Sequence, residues 1–314
     1  MEVASNQIRV QSLVQEGKTV VPPQYVQPPE TRPVHGKRNE RDAPSPPAID
    51  LSSVDSVHEQ LGRACREWGA FHVINHGVPV ELLDEMRREG HSFFEDCTMD
   101  QKVSYACDPN SPASEGYGSR MLVASNDTVL DWRDYYDHHT LPLSRRNPSK
   151  WPHFSSNYRK VVAEYSDQMS GLAEKLLGLI SESLGLPSSC IKDTVGEFYQ
   201  NITVSYYPPC PQPELTLGLQ SHSDMGAITL LIQDDVGGLE IITNGKYTSA
   251  PHRAITNAMS SRLSVATFHD PAKTKTIHPV FEPPKYRQVM YGDYVSSWYT
   301  KGPEGKQNVD ALLL

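Results

Sequence analysis

The sequence predicts an α+β fold in which a helix-rich N-terminal part precedes a β sandwich of jelly-roll type. Two observations carry this prediction. Between residues 155 and 184, Val162, Tyr165, Met169, Leu172, Leu176 and Ile180 recur at steps of three and four, which gathers them on one helical face. After about residue 195 that period gives way to short runs rich in β-branched and aromatic residues. These runs are separated by PPCPQPE, DDVGG and TNG, as in an all-β sandwich.

Taken in order, residues 1–47 are a Pro-rich N-terminal arm (VPPQYVQPPETRP, then RDAPSPPA). With little to bury, the arm is expected to wrap the surface or stay partly disordered. A first strand is expected at Ala48–Leu51, a helix from about Val54 to Trp68, and an apolar strand at Ala70–Ile74 closed by Asn75-His76-Gly77. Two further helices follow at Pro79–Phe94 and Ser155–Leu184. The sandwich strands are read at Asn201–Tyr207, Ala227–Gln233, Gly238–Ile242, Tyr247–Thr256 and Arg262–His269. The organisation is therefore an arm (1–47), a helix-rich region (48–195), a jelly-roll domain (196–275) and a C-terminal helix with a tail (276–314).

The formal charge of −9 argues against a nucleic-acid or anionic-membrane partner, since either calls for a basic patch. The five cysteines, Cys65, Cys97, Cys107, Cys190 and Cys210, form no CxxC pair, so neither a disulfide framework nor a structural zinc site is expected. The first residues contain no apolar signal region, no run approaches membrane-spanning length, and the final ALLL is not a retention or prenylation signal. The expectation is a cytoplasmic monomer.

Chemistry concentrates in the second half. Leu219-Gln220-Ser221-His222-Ser223-Asp224 sets His222 and Asp224 two residues apart. On a strand, both side chains would leave the same face and could reach one ion. His252 arrives on a later strand, and two imidazoles with one carboxylate are the donor set of non-haem iron(II) oxygenases, which leaves sites open for other ligands. Alone, His-x-Asp is a weak signal, because chance matches are common. Its company strengthens it: Arg262 and Ser264 share a face ten residues beyond His252, and Tyr207 adds a phenol. A guanidinium takes a carboxylate through two parallel hydrogen bonds, and the hydroxyl adds a third.

The segments WGAFHVINHGVP (68–79), EGYGSR (115–120), DWRDYY (131–136), SYYPPCPQPELTLGLQSHSDMGAITLLIQD (205–234), NGKYTSAPHRAITN (244–257) and RLSVATFHDP (262–271) together resemble the plant soluble 2-oxoglutarate-dependent dioxygenases. That superfamily includes anthocyanidin synthase, flavonol synthase and the jasmonate-induced oxygenases. The resemblance implies a double-stranded β-helix core, with Fe(II) on His222, Asp224 and His252. It implies 2-oxoglutarate with its distal carboxylate on Arg262 and Ser264, helped by Tyr207, and ascorbate as a support for activity. The family commonly has Asn two residues before that tyrosine; Ser205 stands here and alters one polar contact. Asn75-His76-Gly77 also matches, in a structural role.

One departure is large. In the family, a strand with a Trp-x-x-Val pattern and another ending near Gly-Asp lie between the Gly-Leu-Glu segment and Asn-Gly-Lys-Tyr. Here Gly238-Leu239-Glu240-Ile241 runs almost directly into Thr243-Asn244-Gly245. Two core strands are therefore expected to be missing, which leaves unpaired edges and uncovered apolar surface.

The implied reaction couples oxidative decarboxylation of 2-oxoglutarate to succinate and CO2, using O2, with oxidation of a small specialised metabolite or hormone. Candidate substrate-pocket residues are Tyr117, Tyr135, Phe268 and Trp298, each of which is also an ordinary core aromatic by type. A hormone bearing a carboxylate, such as jasmonate, would call for a further arginine. The strand leading to Tyr207 offers only Thr203 and the C-terminal helix offers Val295, Trp298 and Tyr299, which favours a neutral ring system. Two alternatives stand beside this reading: an iron oxidase of the same fold that does not use 2-oxoglutarate, and a truncated, non-catalytic isoform.

Overall fold

The computed structural model describes residues 9–33, 45–53, 56–108, 115–118, 129–241, 250–301 and 312–314, with side chains of the last helix described as far as residue 297. In chain order the elements begin with α1 (Val10–Gln15), β1 (Ala48–Asp50), α2 (Val57–Glu67), β2 (His72–Ile74), α3 (Val80–Glu95), α4 (Met99–Val103), β3 (Gly116–Gly118) and β4 (Asp134–Leu141). Then come the long helix α5 (Tyr158–Ser183), α6 (Cys190–Val195), β5 (Tyr199–Tyr207), β6 (Leu217–His222), β7 (Ile228–Gln233) and β8 (Leu239–Ile241). The chain closes with β9 (His252–Ile255), β10 (Arg262–Asp270), β11 (Thr276–Ile277), β12 (Val289–Met290) and α7 (Tyr291–Lys301).

Two sheets make the sandwich: a five-stranded sheet in the order β3-β4-β5-β10-β7, and a three-stranded sheet in the order β6-β9-β8. Period-two alternation assigns the larger sheet's two faces. Ile202, Val204 and Tyr206 of β5, with Leu263 and Val265 of β10, join the core that α3 and α5 supply through Met86, Phe93, Phe94, Tyr165, Met169 and Leu176. The expected helical stripe of α5 is thus buried against this sheet. Helix α5 stops where Gly185 takes φ 74, letting the Gly185 and Leu186 N–H groups bond back to Glu182 and Ser181. The opposite, inner face of the sheet carries Tyr135, Ser205, Tyr207, Arg262 and Ser264, brought level by the pairings Tyr135↔Ser205, Arg262↔Tyr207 and Ser264↔Ser205.

Several expectations need correction. Strands β3 and β4 were not anticipated, because polar Asp137, His138 and His139 mask the alternation of a strand that is buried on both faces. The arm has more to bury than its composition suggested: Val10, Leu13, Val21 and Tyr25 form a cluster with Trp132 and Cys210. Asp134 accepts the Val10 and Gln11 N–H groups at 3.0 Å each, so residues 9–33 are tied down rather than loose. The strand expected at Tyr247–Thr256 is ordered as His252–Ile255, and 247–249 lie outside the described residues, as do Val54 and Ile242.

Among the described residues, β7 and β8 each have a partner on one side only. The same holds of β3 and β6; β7 and β8 are the edges next to which the stretch expected to be missing would begin. Ile228, Leu230 and Ile232 of β7 pack on the main core yet are only half-buried, as an uncovered edge requires. Among the described residues no helix is long and apolar enough to cross a membrane.

Candidate active site

His222 ends β6 and pairs in register with His252, the first residue of β9. Asp224 is not on the strand, as the two-residue alternation had suggested; the chain leaves β6 after His222 and turns the carboxylate back. The result is a compact donor set. Potential ligand atoms of His222, Asp224 and His252 all lie within 4.8 Å of one another. The two Nε2 atoms stand 3.6 and 3.7 Å from Asp224 Oδ1, and the imidazole centroids are 4.3 Å apart. Metal–ligand bonds of about 2.0–2.2 Å put neighbouring donors roughly 3–3.7 Å apart, so one ion fits this spacing.

The tautomers agree with that use. His222 Nδ1 lies 2.8 Å from the Gln220 carbonyl and His252 Nδ1 lies 3.0 Å from the Ala250 carbonyl. A carbonyl only accepts, so each Nδ1 carries the proton and donates it. Each Nε2 then presents a lone pair toward Asp224. Gln220 is itself clamped: its backbone N–H donates to Asp131 at 3.0 Å, and its side-chain amide donates to the Val129 carbonyl at 2.8 Å. The loop before β4 therefore fixes the strand end that carries His222.

The inner face of the larger sheet forms a polar floor. Arg262 is buried, and Nη2 donates to Gln233 Oε1 at 2.8 Å, while Nε and Nη1 have no hydrogen-bond partner. Its guanidinium lies 4.7 Å from the Tyr207 ring centroid. Burial alone would push the Tyr207 phenol up, but Arg133 and Arg262, with the Ser264 and Ser205 hydroxyls, hold it below its ordinary value. Gly218 of β6 lies directly against that ring: a Cβ there would sit 2.6 Å from Tyr207 Cδ1. The two sheets approach this closely only because position 218 has no side chain.

The remaining predicted positions divide. Tyr135 faces this floor, and Phe268 is half-buried on the same face of β10. Tyr117 does not line the pocket: it is fully buried in the helix-side core against Phe93 and Phe94, with its hydroxyl donating to Asp134 at 3.2 Å. It turns that way because β3 presents alternate residues to opposite faces, and position 117 falls on the core side. The Trp298 side chain lies outside the described residues. Arg133, within DWRDYY, also stands at this floor, beside Ser205 and Tyr207. Its signal was an arginine immediately before a strand, two residues from Tyr135 and hence on Tyr135's face.

Comparison with known proteins agrees with this architecture. Residues 46–154 match the family model for the N-terminal region of non-haem dioxygenases in morphine synthesis, and residues 198–242 match that of the 2OG-Fe(II) oxygenase superfamily. Jasmonate-induced oxygenase 4 of Arabidopsis thaliana is 37% identical, over 98% of this chain and 97% of its own length. A leucoanthocyanidin dioxygenase of Malus domestica is 34% identical, over 86% of each chain. The crystal structure of JOX2 in complex with 2OG, Fe and JA superposes with a TM-score of 0.88 at 32% identity, covering 99% of both chains. The chain belongs to the plant 2OG-Fe(II) oxygenase family. It is an oxidoreductase of the dioxygenase class that uses Fe(II) and 2-oxoglutarate and acts on small molecules.

The alignment with jasmonate-induced oxygenase 4 extends over 347 positions, whereas this chain has 314 residues, so at least 33 positions are filled by the relative alone. The superfamily match stops at residue 242, next to the free edge of β8. Both findings fit a jelly roll that lacks two strands.

The residues present fit the groups the family uses. A cluster of two imidazoles and a carboxylate is the donor set of non-haem iron. The unpartnered Nε and Nη1 of a buried arginine call for an anion.

Proposed function

We propose that this chain oxidises, by hydroxylation or desaturation, a small plant specialised metabolite or hormone. In this reading His222, Asp224 and His252 hold Fe(II), and Arg262, Ser264 and Tyr207 hold the distal carboxylate of 2-oxoglutarate. The carrying observation is the pairing of a compact three-donor cluster with a buried guanidinium two of whose nitrogens lack partners. Bound iron with 2-oxoglutarate supplies the oxidising power, as cofactors do in enzymes of this kind. The protein's residues do the positioning. Carbonyl contacts at Nδ1 fix the two imidazoles, Asp131 fixes the strand end behind His222, and Arg262 sets the orientation of the five-carbon diacid.

For the organic substrate we favour a neutral ring system packed against Tyr135 and Phe268. Succinate formation from 2-oxoglutarate, measured with Fe(II) and a panel of flavonoids and hormones, tests the assignment. Succinate that requires Fe(II) and rises with one substrate supports it. Oxygen uptake that proceeds without 2-oxoglutarate would instead identify an oxidase of the same fold.

A second reading, a shortened form that does not turn over, has its own support in β7 and β8, each paired on one side only among the described residues. It predicts no Fe(II) binding and no sharp unfolding transition; turnover by the purified 314-residue chain contradicts it.

A further inference from the structure

We infer that Arg133 is a second carboxylate-binding residue of the cosubstrate pocket, which grips the distal carboxylate of 2-oxoglutarate together with Arg262. The inference rests on the reading just given. Arg133 precedes β4 by one residue, and alternation turns it toward the inner face beside Tyr135. Its Nη1 donates to Ser205 Oγ at 3.1 Å, and its guanidinium stands 5.3 Å from the Tyr135 ring centroid. Ser205 pairs with Ser264 across β5 and β10, so this guanidinium reaches the same floor as Arg262.

The plain alternative is a structural arginine that ties the loop before β4 to the sheet. Its surroundings leave that role incomplete. Arg133 Nε is buried and has no hydrogen-bond partner. Asp131 Oδ2 stands 4.0 Å from that Nε, a loose ion pair beyond hydrogen-bond reach, while Asp131 Oδ1 accepts from Gln220. For Arg262, no carboxylate of the described residues comes within 4.0 Å.

Arg133 also bonds the Tyr207 phenol, and that phenol and Asp131 hold its charge, so what the two guanidinia flanking this phenol share is not missing charge but buried donor atoms without partners. A buried charge is tolerated only when it is paired and hydrogen-bonded. A carboxylate offers about four lone-pair sites. Arg133 Nε, Arg262 Nε and Arg262 Nη1 are three unpartnered donors, and the Ser264 or Tyr207 hydroxyl is a fourth. The donor count matches one carboxylate. The depressed Tyr207 phenol agrees with a strongly positive floor. Ser205 matters here as well: it is small, and its hydroxyl accepts Arg133 Nη1, which holds the guanidinium over the floor. With Arg133 committed to the cosubstrate, the pocket still holds no free arginine for a substrate carboxylate among the residues considered above.

The test is equilibrium binding, not turnover. Fe(II)-loaded protein, kept anaerobic, is titrated with 2-oxoglutarate and with 2-oxopentanoate, which keeps the keto-acid end and lacks the distal carboxylate. Arg133→Met is expected to weaken 2-oxoglutarate about 10- to 100-fold, as loss of a charge-assisted hydrogen bond does, and to leave 2-oxopentanoate unchanged. Arg262→Met should do the same or more. If Arg133→Met weakens both keto acids alike, the placement at the distal carboxylate is wrong. If it weakens neither while Arg262→Met still weakens 2-oxoglutarate, Arg133 is structural and the function reading stands without it. Wild-type protein that fails to bind 2-oxoglutarate removes both. Should Arg133→Met not fold, Arg133→Lys carries the test. Its point charge lacks the Nε donor, so 2-oxoglutarate should weaken severalfold against an unchanged 2-oxopentanoate, and equal affinity for 2-oxoglutarate would overturn the proposal.

Discussion

Replacing Gly218 by alanine perturbs the contact between the two sheets at the point where the cosubstrate floor is built. The added methyl would lie 2.6 Å from Tyr207 Cδ1, 2.9 Å from Cε1 and 3.3 Å from the Ala254 carbonyl. Carbon atoms rest at about 3.5–4.0 Å, so relief requires the ring or β6 to move by roughly 1 Å. Tyr207 has little freedom to move, because it sits in β5 opposite Arg262 and is buried. Overpacking of this kind costs about 1–3 kcal/mol, equivalent to a melting temperature lower by about 2–5 °C in a chain of 314 residues. Any ring shift also separates the phenol from Ser264 and both guanidinia, so 2-oxoglutarate affinity should fall by at least about tenfold, the worth of one such hydrogen bond. Differential scanning calorimetry and anaerobic titration with 2-oxoglutarate report the two effects separately. Gly171 supplies the matched control. It lies in α5 with nothing within 4 Å of a Cβ, so Gly171→Ala should stabilise by about 0.5–1 kcal/mol. If Gly218→Ala melts and binds like wild type while Gly171→Ala behaves as expected, the close approach of β6 to Tyr207 is refuted.

Other outcomes follow from the same structure. Fe(II) at a hundredfold excess over the dissociation constant should stabilise the wild-type chain by about 2.7 kcal/mol, read as a higher melting temperature, and His222→Ala should abolish that rise. Buried His138 and His269 are each pushed down to about 4, chiefly by desolvation. The unfolded chain binds their protons below about 6.5 and the folded chain does not, so stability is full above that pH and is lost as pH falls toward 4, by up to about 3 kcal/mol per histidine. Urea unfolding at stepped pH measures this slope, and His138→Gln should flatten it. Removing residues 1–33 strips Val10, Leu13, Val21 and Tyr25 from Trp132 and Cys210 and takes the N–H partners from Asp134. A loss of about 3–5 kcal/mol is expected, read as a lower urea midpoint, and an unchanged midpoint would mean the arm is not docked.

Much of the candidate site was legible because its residues sit on strands whose period is two. Arg262 and Ser264 were placed together by counting alone, and the registers of β5 and β10 then bring Tyr207 level with Arg262. Counting failed where the chain leaves regular structure. Asp224 reaches the histidines from beyond the end of β6, so its proximity comes from a turn and not from alternation. Arg133 was overlooked for the complementary reason. The strand it precedes, β4, carries Asp137, His138 and His139 in the interior, and sequence patterning reads such a run as surface. Asp137 and His138 are tolerated inside because each meets a partner: Thr203 donates to Asp137 at 2.7 Å, and His138 contacts the Ile202 carbonyl and the Tyr158 hydroxyl at 3.0 Å each. The arm was misjudged because its few apolar residues are useful only against Trp132, about a hundred residues away, a match that no local window contains.

The positions of the two open edges decide what a shortened jelly roll can keep. His252 lies on β9, between β6 and β8, and Arg262 lies on β10, between β5 and β7. Each therefore has a neighbour on both flanks; among the described residues β7 and β8, which carry none of the three donors, are paired on one side only, as is β6, which carries His222. Strands missing beyond β7 and β8 would thus spare the pairing of the two strands that hold His252 and Arg262, whatever surface they leave open at the rim.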